Sequence, residues 1–501
     1  MGVHRYMFFI WIVGILCGLG TGPARAQAPS AGPPQTKTQT AASRPVDRED
    51  DAAAKALRTL YVPDGLTSDQ AVEQVLATSP DVDRTRALLL EVRGGALRAM
   101  SGLMPRLEFI ARYSRLSPVQ TAGLGSGSDT NVADLISMLQ DPVAQELWTG
   151  LTTFRFPSLT QQWASDATLS YSFTRSLAEA MPAYRAAKDS KVAAQYRIAA
   201  ELNDVALDGR QAYYEYARAE AGLAVANFAL DAAVSQRNET ESLVAAGSAA
   251  RVDLLRVQAQ EEAARVAVER AKLGVQVAAR SLQALMHTDD SPSLGEDLSE
   301  PVTGFPTETE ETLQERAYDS RPDLLAVRKY IDVRMHQLKS ANGGRLPDVL
   351  LRASAQYSNP NLRVIPQQQR FIGTWEVGAV IRWAPNDTID AHGRSRQLQA
   401  ELERAYADVT TLEDAIRVEV AQGYHGMLAA QSATESARLG LSAAREGYRV
   451  TRDQLRAGVV NTTTLLQAQS ELIRAQVDVV DSAIGLRIAK AQLLRAIGEM
   501  P

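Results

Sequence analysis

Cysteine is almost absent from this chain of 501 residues, and the only one, Cys17, lies in an apolar N-terminal stretch. Disulfide frameworks, CxxC redox pairs and cysteine-based zinc sites are therefore excluded. Aromatic residues make up only 6% of the chain, too few to fill several compact cores, whereas its many small residues suit close contact between helices. The net charge of −6 and the lack of a long Lys/Arg run give no reason to expect a nucleic-acid partner.

The N-terminus has the pattern of a secretory signal peptide, which we assign to residues 1–26. Arg5 precedes an apolar run at 6–19, and an A-x-A cleavage motif ends the segment. The run is too short for a membrane-spanning helix, and no other stretch approaches about 20 apolar residues. A lipid anchor on Cys17 is disfavoured because a bulky leucine precedes it. Residues 27–58, rich in Pro, Thr, Gln and Ala, are predicted to be a disordered leader.

The remainder of the chain repeats itself. Pro80 and Pro105 are 25 residues apart, and so are Pro322 and Pro347. In each copy the first proline opens a helical pattern, and the second precedes a pattern of period two. A duplicated unit explains this arrangement, with a first repeat at 59–300 and a second at 301–501.

Glycine marks a later landmark in each copy. Gly247 and Gly458 are both followed, seven and eight residues on, by a pair of leucines. These glycines are 211 residues apart, whereas Pro80 and Pro322 are 242 apart, so the first copy carries 31 extra residues. We place the extra length at 117–162, which has the composition of a loop.

Four segments alternate between apolar and polar residues, and they decide the fold class. They are predicted to be strands at about 107–116, 166–174, 348–357 and 374–383. Each is about 10 residues long, the length that a tilted transmembrane strand needs. A half-buried soluble strand would show the same alternation. Trp148, Trp163, Trp375 and Trp383 all lie in or beside these segments, which favours an aromatic belt at a membrane surface.

The two faces of these strands have different predicted roles. The polar side is expected to line a water-filled lumen and carries Glu108, Arg112, Arg352, Glu376 and Arg382. The lipid-facing side and its aromatic belt comprise Phe109, Tyr113, Tyr171, Phe173, Tyr357, Trp375 and Trp383.

Long helices fill the rest of each copy. Residues 183–291 and 386–500 contain no proline, and apolar residues there recur every seven positions. This pattern predicts antiparallel coiled-coil hairpins. The predicted helices run at about 67–103, 178–246, 251–287, 308–344, 388–457 and 462–498.

Four strands cannot close a barrel, because closure in lipid without an unpaired edge needs about eight or more. Subunits must therefore share one barrel. Two chains would give a small filled barrel, and three would give twelve strands, wide enough to begin enclosing a channel. The fold class is thus mainly α with transmembrane β.

In this order of elements the chain resembles the TolC-like outer-membrane efflux proteins, also called outer membrane factors. The resemblance covers nearly all of the chain beyond the leader. It implies a homotrimer with a shared 12-stranded β-barrel in the outer membrane, continued by an α-helical barrel through the periplasm. It also implies a periplasmic adaptor protein at the helical tips and an inner-membrane pump reached through that adaptor.

The resemblance places the periplasmic tips at two repeat-related segments. Their residues are Gly247, Asp253, Leu254, Leu255, Gly458, Thr464, Leu465, Leu466 and Gln467. Some members of the family close the entrance with acidic residues just after the second glycine. Thr464 and Gln467 occupy those positions here, so an acidic gate is not expected. Asp253 has a simpler alternative role in starting a helix.

Nothing in the sequence assembles an enzyme active site, and we expect no catalytic residue, cofactor or metal ion. The glycine-rich segment 123–127 lacks the context of a phosphate loop and is predicted to be flexible. The expected function is a passive efflux or secretion duct in the outer membrane of a Gram-negative-type cell. The alternative is a periplasmic coiled-coil scaffold or adaptor without a pore. The cargo stays open among drugs, metals, other small molecules and polypeptides.

Overall fold

The computed structural model describes residues 60–118, 136–153, 160–365 and 367–501. The signal peptide, the leader and the glycine-rich segment predicted from sequence lie outside these residues. The described part contains nine α-helices of 11 or more residues. They are α1 (Ser68–Thr78), α2 (Pro80–Ser101), α3 (Pro142–Thr153), α4 (Met181–Ala245), α5 (Arg251–Met286), α6 (Glu310–Ser320), α7 (Pro322–Gly343), α8 (Pro385–Arg456) and α9 (Thr462–Ala496).

The described strands form one antiparallel sheet in the order β1-β2-β3-β4. They are β1 (Arg106–Arg115), β2 (Gln161–Ser172), β3 (Asp348–Asn359) and β4 (Ile372–Arg382). The sequence prediction of four strands among long helices is confirmed, and the structure shows that neighbouring strands run antiparallel. Each repeat contributes two neighbouring strands, so β1 and β4 are the open edges of the sheet.

Phe173 is not in a strand, although its alternation predicted one. β2 ends at Ser172, and Phe173–Arg175 forms a helical turn followed by a π-helical segment, Ser176–Ala180, that leads into α4. The strand also starts earlier than predicted, at Gln161, because its pairing with β1 continues to Arg115. Alternation alone did not show where this pairing begins and ends.

The helices predicted at 67–103 and 308–344 are each broken in two. Ser79 and Arg321 adopt extended backbone conformations between α1 and α2 and between α6 and α7. The cause is the following proline, because its ring disfavours the helical conformation of the residue before it. Pro80 and Pro322 then occupy the first turn of the next helix, where a missing N–H costs nothing.

Two helical hairpins make up about half of the described chain. α4 has 65 residues and α8 has 72, which gives lengths of about 100 and 110 Å at 1.5 Å per residue. Each packs against the shorter helix that follows it, α5 or α9. None of the described helices is long and apolar enough to cross a membrane.

The buried core consists of two clusters related by the repeat. Val82 and Leu324 hold equivalent places, 242 residues apart, and Val205 and Ile416 hold another pair, 211 residues apart. At one pair of equivalent positions, the larger and the smaller residue are swapped between the two repeats. In the first copy Val75 packs against Gly209, where an added Cβ would lie 3.3 Å from the valine. The equivalent positions in the second cluster hold Ala317 and Val420.

Candidate channel-forming surfaces

The apolar residues of the four strands form one continuous face of the sheet. Strand pairing places Phe109 beside Ala167, Ala167 beside Ala355, and Ala355 beside Trp375. Phe109 is 71% exposed and Trp375 is 77% exposed in the single chain. A contiguous apolar surface of this kind marks an interaction with lipid or protein.

Aromatic side chains collect at the two ends of this face. At the end of the sheet away from the helices, Tyr113 lies 4.3 Å from Trp163 between ring centroids, and Tyr357 stacks on Phe371 at 5.2 Å. Trp383 is exposed just beyond the other end of β4. Aromatic rings therefore lie near both ends of the apolar face, as the predicted aromatic belt requires.

Two predicted belt residues lie at the helical end of the sheet. Tyr171 pairs with Leu351 across the sheet, and its hydroxyl donates a hydrogen bond to Ser176 Oγ at 3.1 Å. Phe173 is exposed on the turn that follows β2, so it stays near the sheet although it lies outside the strand.

The opposite face carries charge in rows. Glu108 and Glu376 stand at the two edges of one row, with Thr168 and Ser354 between them. The next row toward the helices carries Arg106, Ser170 and Arg352. An ion pair of 3.8 Å between Arg106 Nη2 and Glu108 Oε2 joins the two rows at the β1 edge.

The other predicted lumen residues lie on this same polar face. Arg112 pairs with Ala164, nearer the far end of the sheet, and Arg382 pairs with Asp348 at the helical end. Arg106 was not among the predicted lumen residues, although its position two residues before Glu108 in the alternating pattern places it on the same face.

A loop residue that the alternating pattern does not include also contacts this face. Arg363, in the connection between β3 and β4, forms an ion pair with Glu376. Its Nη1 also donates to the Trp375 carbonyl at 3.3 Å. No pattern in the sequence shows that this loop returns to the sheet.

The two hairpin tips have the same backbone geometry. Gly247 has a φ of 72° and Gly458 a φ of 73°, a left-handed conformation that favours glycine. In each tip the residue after the glycine donates its N–H to a carbonyl five residues earlier, Ser248 to Leu243 at 2.8 Å and Val459 to Gln454 at 2.9 Å. These bonds satisfy carbonyls that the end of a helix leaves free.

The second tip begins its returning helix with a side-chain cap. Asn461 Oδ1 accepts hydrogen bonds from the Thr464 N–H at 3.0 Å and from the Thr464 hydroxyl at 3.1 Å. Leu465 is fully buried, Leu466 is half-buried and Gln467 is exposed. Thr464 is therefore tied to the cap.

Asp253 does not cap its helix, because the cap position belongs to Ala250. Its carboxylate instead accepts from Arg256 Nη1 at 3.5 Å, and the same nitrogen donates to Thr463 Oγ1 at 3.2 Å in the other tip. Leu254 is half-buried and Leu255 is exposed.

A second contact joins the two hairpins just above the tips. Arg456 Nη2, at the end of α8, lies 3.6 Å from Glu239 Oε1 on α4. Together with the contact between Arg256 and Thr463, it ties the ends of hairpins that belong to different repeats.

A buried arginine joins four helices at the base of the second repeat. Arg321, only 3% exposed, binds Asp323, Glu419 and the Ala496 carbonyl. Arg495 continues the network, with its Nη1 2.7 Å from Glu419 Oε2 and its Nε 2.8 Å from Asp204 Oδ1. This junction could not be predicted from the sequence, because its members are scattered over more than 290 residues. Within the described ranges no group of His, Cys, Asp or Glu could hold a metal ion.

The second repeat of the chain matches a known protein family. Residues 313–499 match the family model described as Outer membrane efflux protein. The outer membrane efflux protein BepC of Brucella suis biovar 1 (strain 1330) is 26% identical over 192 residues, which are 37% of this chain. The match spans 40% of the length of that curated relative.

Solved structures extend the likeness to both repeats. CusC gives a TM-score of 0.69 at 14% identity, covering 88% of this chain and 94% of its own. The CmeC outer membrane channel of Campylobacter jejuni also gives 0.69 at 14% identity, covering 86% of this chain and 85% of its own. The second repeat therefore matches the outer membrane efflux protein family, and the fold over both repeats is similar to that of these solved structures.

Proposed function

We propose that this protein is the outer-membrane channel of a tripartite efflux system, a passive duct from the periplasm to the cell exterior. The observation that carries the proposal is a four-stranded sheet with one exposed apolar face, one charged face and two open edges. Such a sheet is not stable in lipid alone, since every backbone N–H and C=O there needs a partner.

Three copies satisfy these requirements. Joining β1 of one copy to β4 of the next removes every edge and gives twelve strands, enough for a water-filled interior. The face of Phe109 and Trp375 then meets lipid, and the face of Glu108 and Arg352 lines the lumen. A trimer in the outer membrane, with its helices in the periplasm, follows from this arrangement.

The helical tips are the proposed docking surface for a periplasmic adaptor. Val252, Leu255 and Val459 are all more than half exposed there, although apolar side chains at a helix end favour burial. An adaptor that covers them would connect the duct to an inner-membrane pump, which supplies the energy.

Gating is proposed to occur at the same tips. The contact of Arg256 with Thr463 and the ion pair of Arg456 with Glu239 tie neighbouring hairpins together. These are exposed polar contacts of modest strength, so adaptor binding can replace them. Thr464 and Gln467 supply no charge, so this gate works without an acidic ring at those positions.

The proposal is tested by fractionating cells that express the full chain and by recording the purified protein in planar lipid bilayers. We expect it in the outer-membrane fraction, released by detergent as a trimer, and forming ion-conducting pores. Recovery as a monomer without detergent, with no pore activity, would instead support the periplasmic scaffold.

A further inference from the structure

Residues 360–365, in the connection between β3 and β4, fold back onto the sheet. Asn361 is fully buried, although it lies in a loop at the end of the sheet away from the helices. The Asn361 amide donates to the Ile372 carbonyl at 3.0 Å and to Thr374 Oγ1 at 3.2 Å, and its Oδ1 accepts from the Arg363 N–H at 2.9 Å. The loop is therefore held down by specific contacts.

These contacts are on the charged face of the sheet. Thr374 and Glu376 alternate with Trp375, whose side chain belongs to the apolar face. Asn361 binds Thr374 and Arg363 binds Glu376, so both anchors of the loop lie on the charged side. In the proposed trimer this is the side that faces the lumen.

We propose that this loop is a lid folded into the outer mouth of the channel and held by a clasp between Arg363 and Glu376. The inference rests on the proposed function, because only a closed barrel turns the charged face into a lumen. Three copies of the lid would narrow the exit around the three-fold axis.

The lid combines exposed apolar residues, which can close a narrow passage, with a weak ion pair, which can open. Leu362 and Ile365 are well exposed beside the clasp, and apolar residues at a narrow point hinder the passage of water and ions. Arg363 and Glu376 are each about half exposed, and ion pairs of that kind are weak. Cargo that arrives from the pump can therefore displace the lid.

The clasp also sets the charge at the exit. While it is closed, Arg363 neutralises Glu376, and three glutamates of the trimer are masked. When it opens, both charges become available to passing ions. Glu376 thus determines the ion selectivity of the open exit, and Arg363 determines whether the Glu376 carboxylate is accessible to passing ions.

The test compares Arg363→Ala and Glu376→Gln with the unaltered protein in planar bilayers, recording conductance and the cation-to-anion permeability ratio. Both substitutions break the clasp, so both should raise conductance, by about 1.5-fold or more. Selectivity should move in opposite directions. Arg363→Ala leaves a free carboxylate and favours cations, whereas Glu376→Gln leaves a free guanidinium and favours anions.

Arg370→Ala is the matched control, since Arg370 lies on the same loop and forms no ion pair with any described residue. It should leave conductance unchanged. The chain with Arg363→Glu and Glu376→Arg together should regain the original conductance. Each variant is also made with Arg256→Ala and Arg456→Ala, because a closed periplasmic entrance in series would hide a change at the exit.

The outcomes separate the two proposals. If neither the unaltered protein nor its variant with Arg256→Ala and Arg456→Ala forms pores, the proposed function fails, and the lid fails with it. If pores form but Arg363→Ala and Arg370→Ala conduct equally in both backgrounds, only the lid is overturned. Trimer assembly of each variant, checked on gels without heating, shows whether a lost signal comes from misfolding.

Discussion

At the scale of single residues, one buried arginine organises the base of the second repeat. Arg321 faces two carboxylates, and burying it without them would carry a large penalty. Backbone packing is equally close there, since a Cβ on Gly498 would lie 2.9 Å from the Arg321 backbone. With its φ of 84°, Gly498 also needs a conformation that other residues rarely adopt. This junction therefore allows little substitution.

Asp323 gives this junction a dependence on pH. Burial alone would raise the pKa of the Asp323 carboxyl, but hydrogen bonds and the charge of Arg321 outweigh burial and hold the pKa below its usual 3.8. A depressed pKa stabilises the folded state above the usual value, and that stability is lost as pH falls through the folded pKa. Asp323→Asn should therefore lower the unfolding temperature at neutral pH, with a gap that narrows below about pH 4.

Asp208 is the control of opposite sign. Burial, and then the neighbouring charge of Asp204, raises the pKa of its carboxyl. Its charged form therefore weakens the folded state at neutral pH, and Asp208→Asn should raise the unfolding temperature at pH 7. Thermal unfolding of the purified protein between pH 7 and pH 3 measures both effects. A constant gap for Asp323→Asn over that range would contradict the assignment.

At the scale of elements, the strands were predictable because their signal is local. Glu376 and Val377 are adjacent in the sequence and point to opposite faces, so alternation alone identifies the sides of β4. Gly247 and Gly458 were likewise recognisable as hairpin tips, because a helical pattern ends before each glycine and another begins shortly after it. The clasp of Arg363 and the junction of Arg321 could not be predicted, because each depends on how distant segments meet.

The strand faces predict the result of placing charge on either side of the sheet. Val377→Arg puts a cation on the apolar face and should weaken insertion by about 2–4 kcal/mol near the middle of a bilayer. Ser354→Arg places the same side chain on the charged face, beside Glu376, and should be tolerated. The readout is the amount of trimer in the outer-membrane fraction. An equal loss of trimer in both variants would mean that lipid does not contact one face of the sheet in preference to the other.

At the scale of the whole molecule, the two repeats meet at the tips through contacts that neither repeat can make alone. Removing Arg256 and Arg456 together cuts both links between the hairpins. The double alanine variant should therefore conduct more in planar bilayers, by about two-fold or more if the tips are the narrowest point.

Arg449→Ala is the control for this experiment. Arg449 lies on the same helix as Arg456 and is equally accessible, but its partners Glu446 and Asp453 belong to that helix as well. Its removal should leave conductance as it was. A similar rise in both variants would show that loss of surface charge, and not release of the hairpins, changes the pore.

The exchange of volume between Val75 with Gly209 and Ala317 with Val420 has a consequence for how the duplicated halves diverged. In the first repeat the larger residue of the pair is Val75, and in the second it is Val420. Moving one residue alone into the other repeat would therefore change the volume of the core there. Valine for Ala317 would crowd the second half, and alanine for Val75 would hollow the first. Only simultaneous substitution of both residues of a pair keeps the packing. Residues at this contact can therefore no longer be exchanged one at a time between the two repeats, although the repeats share a fold.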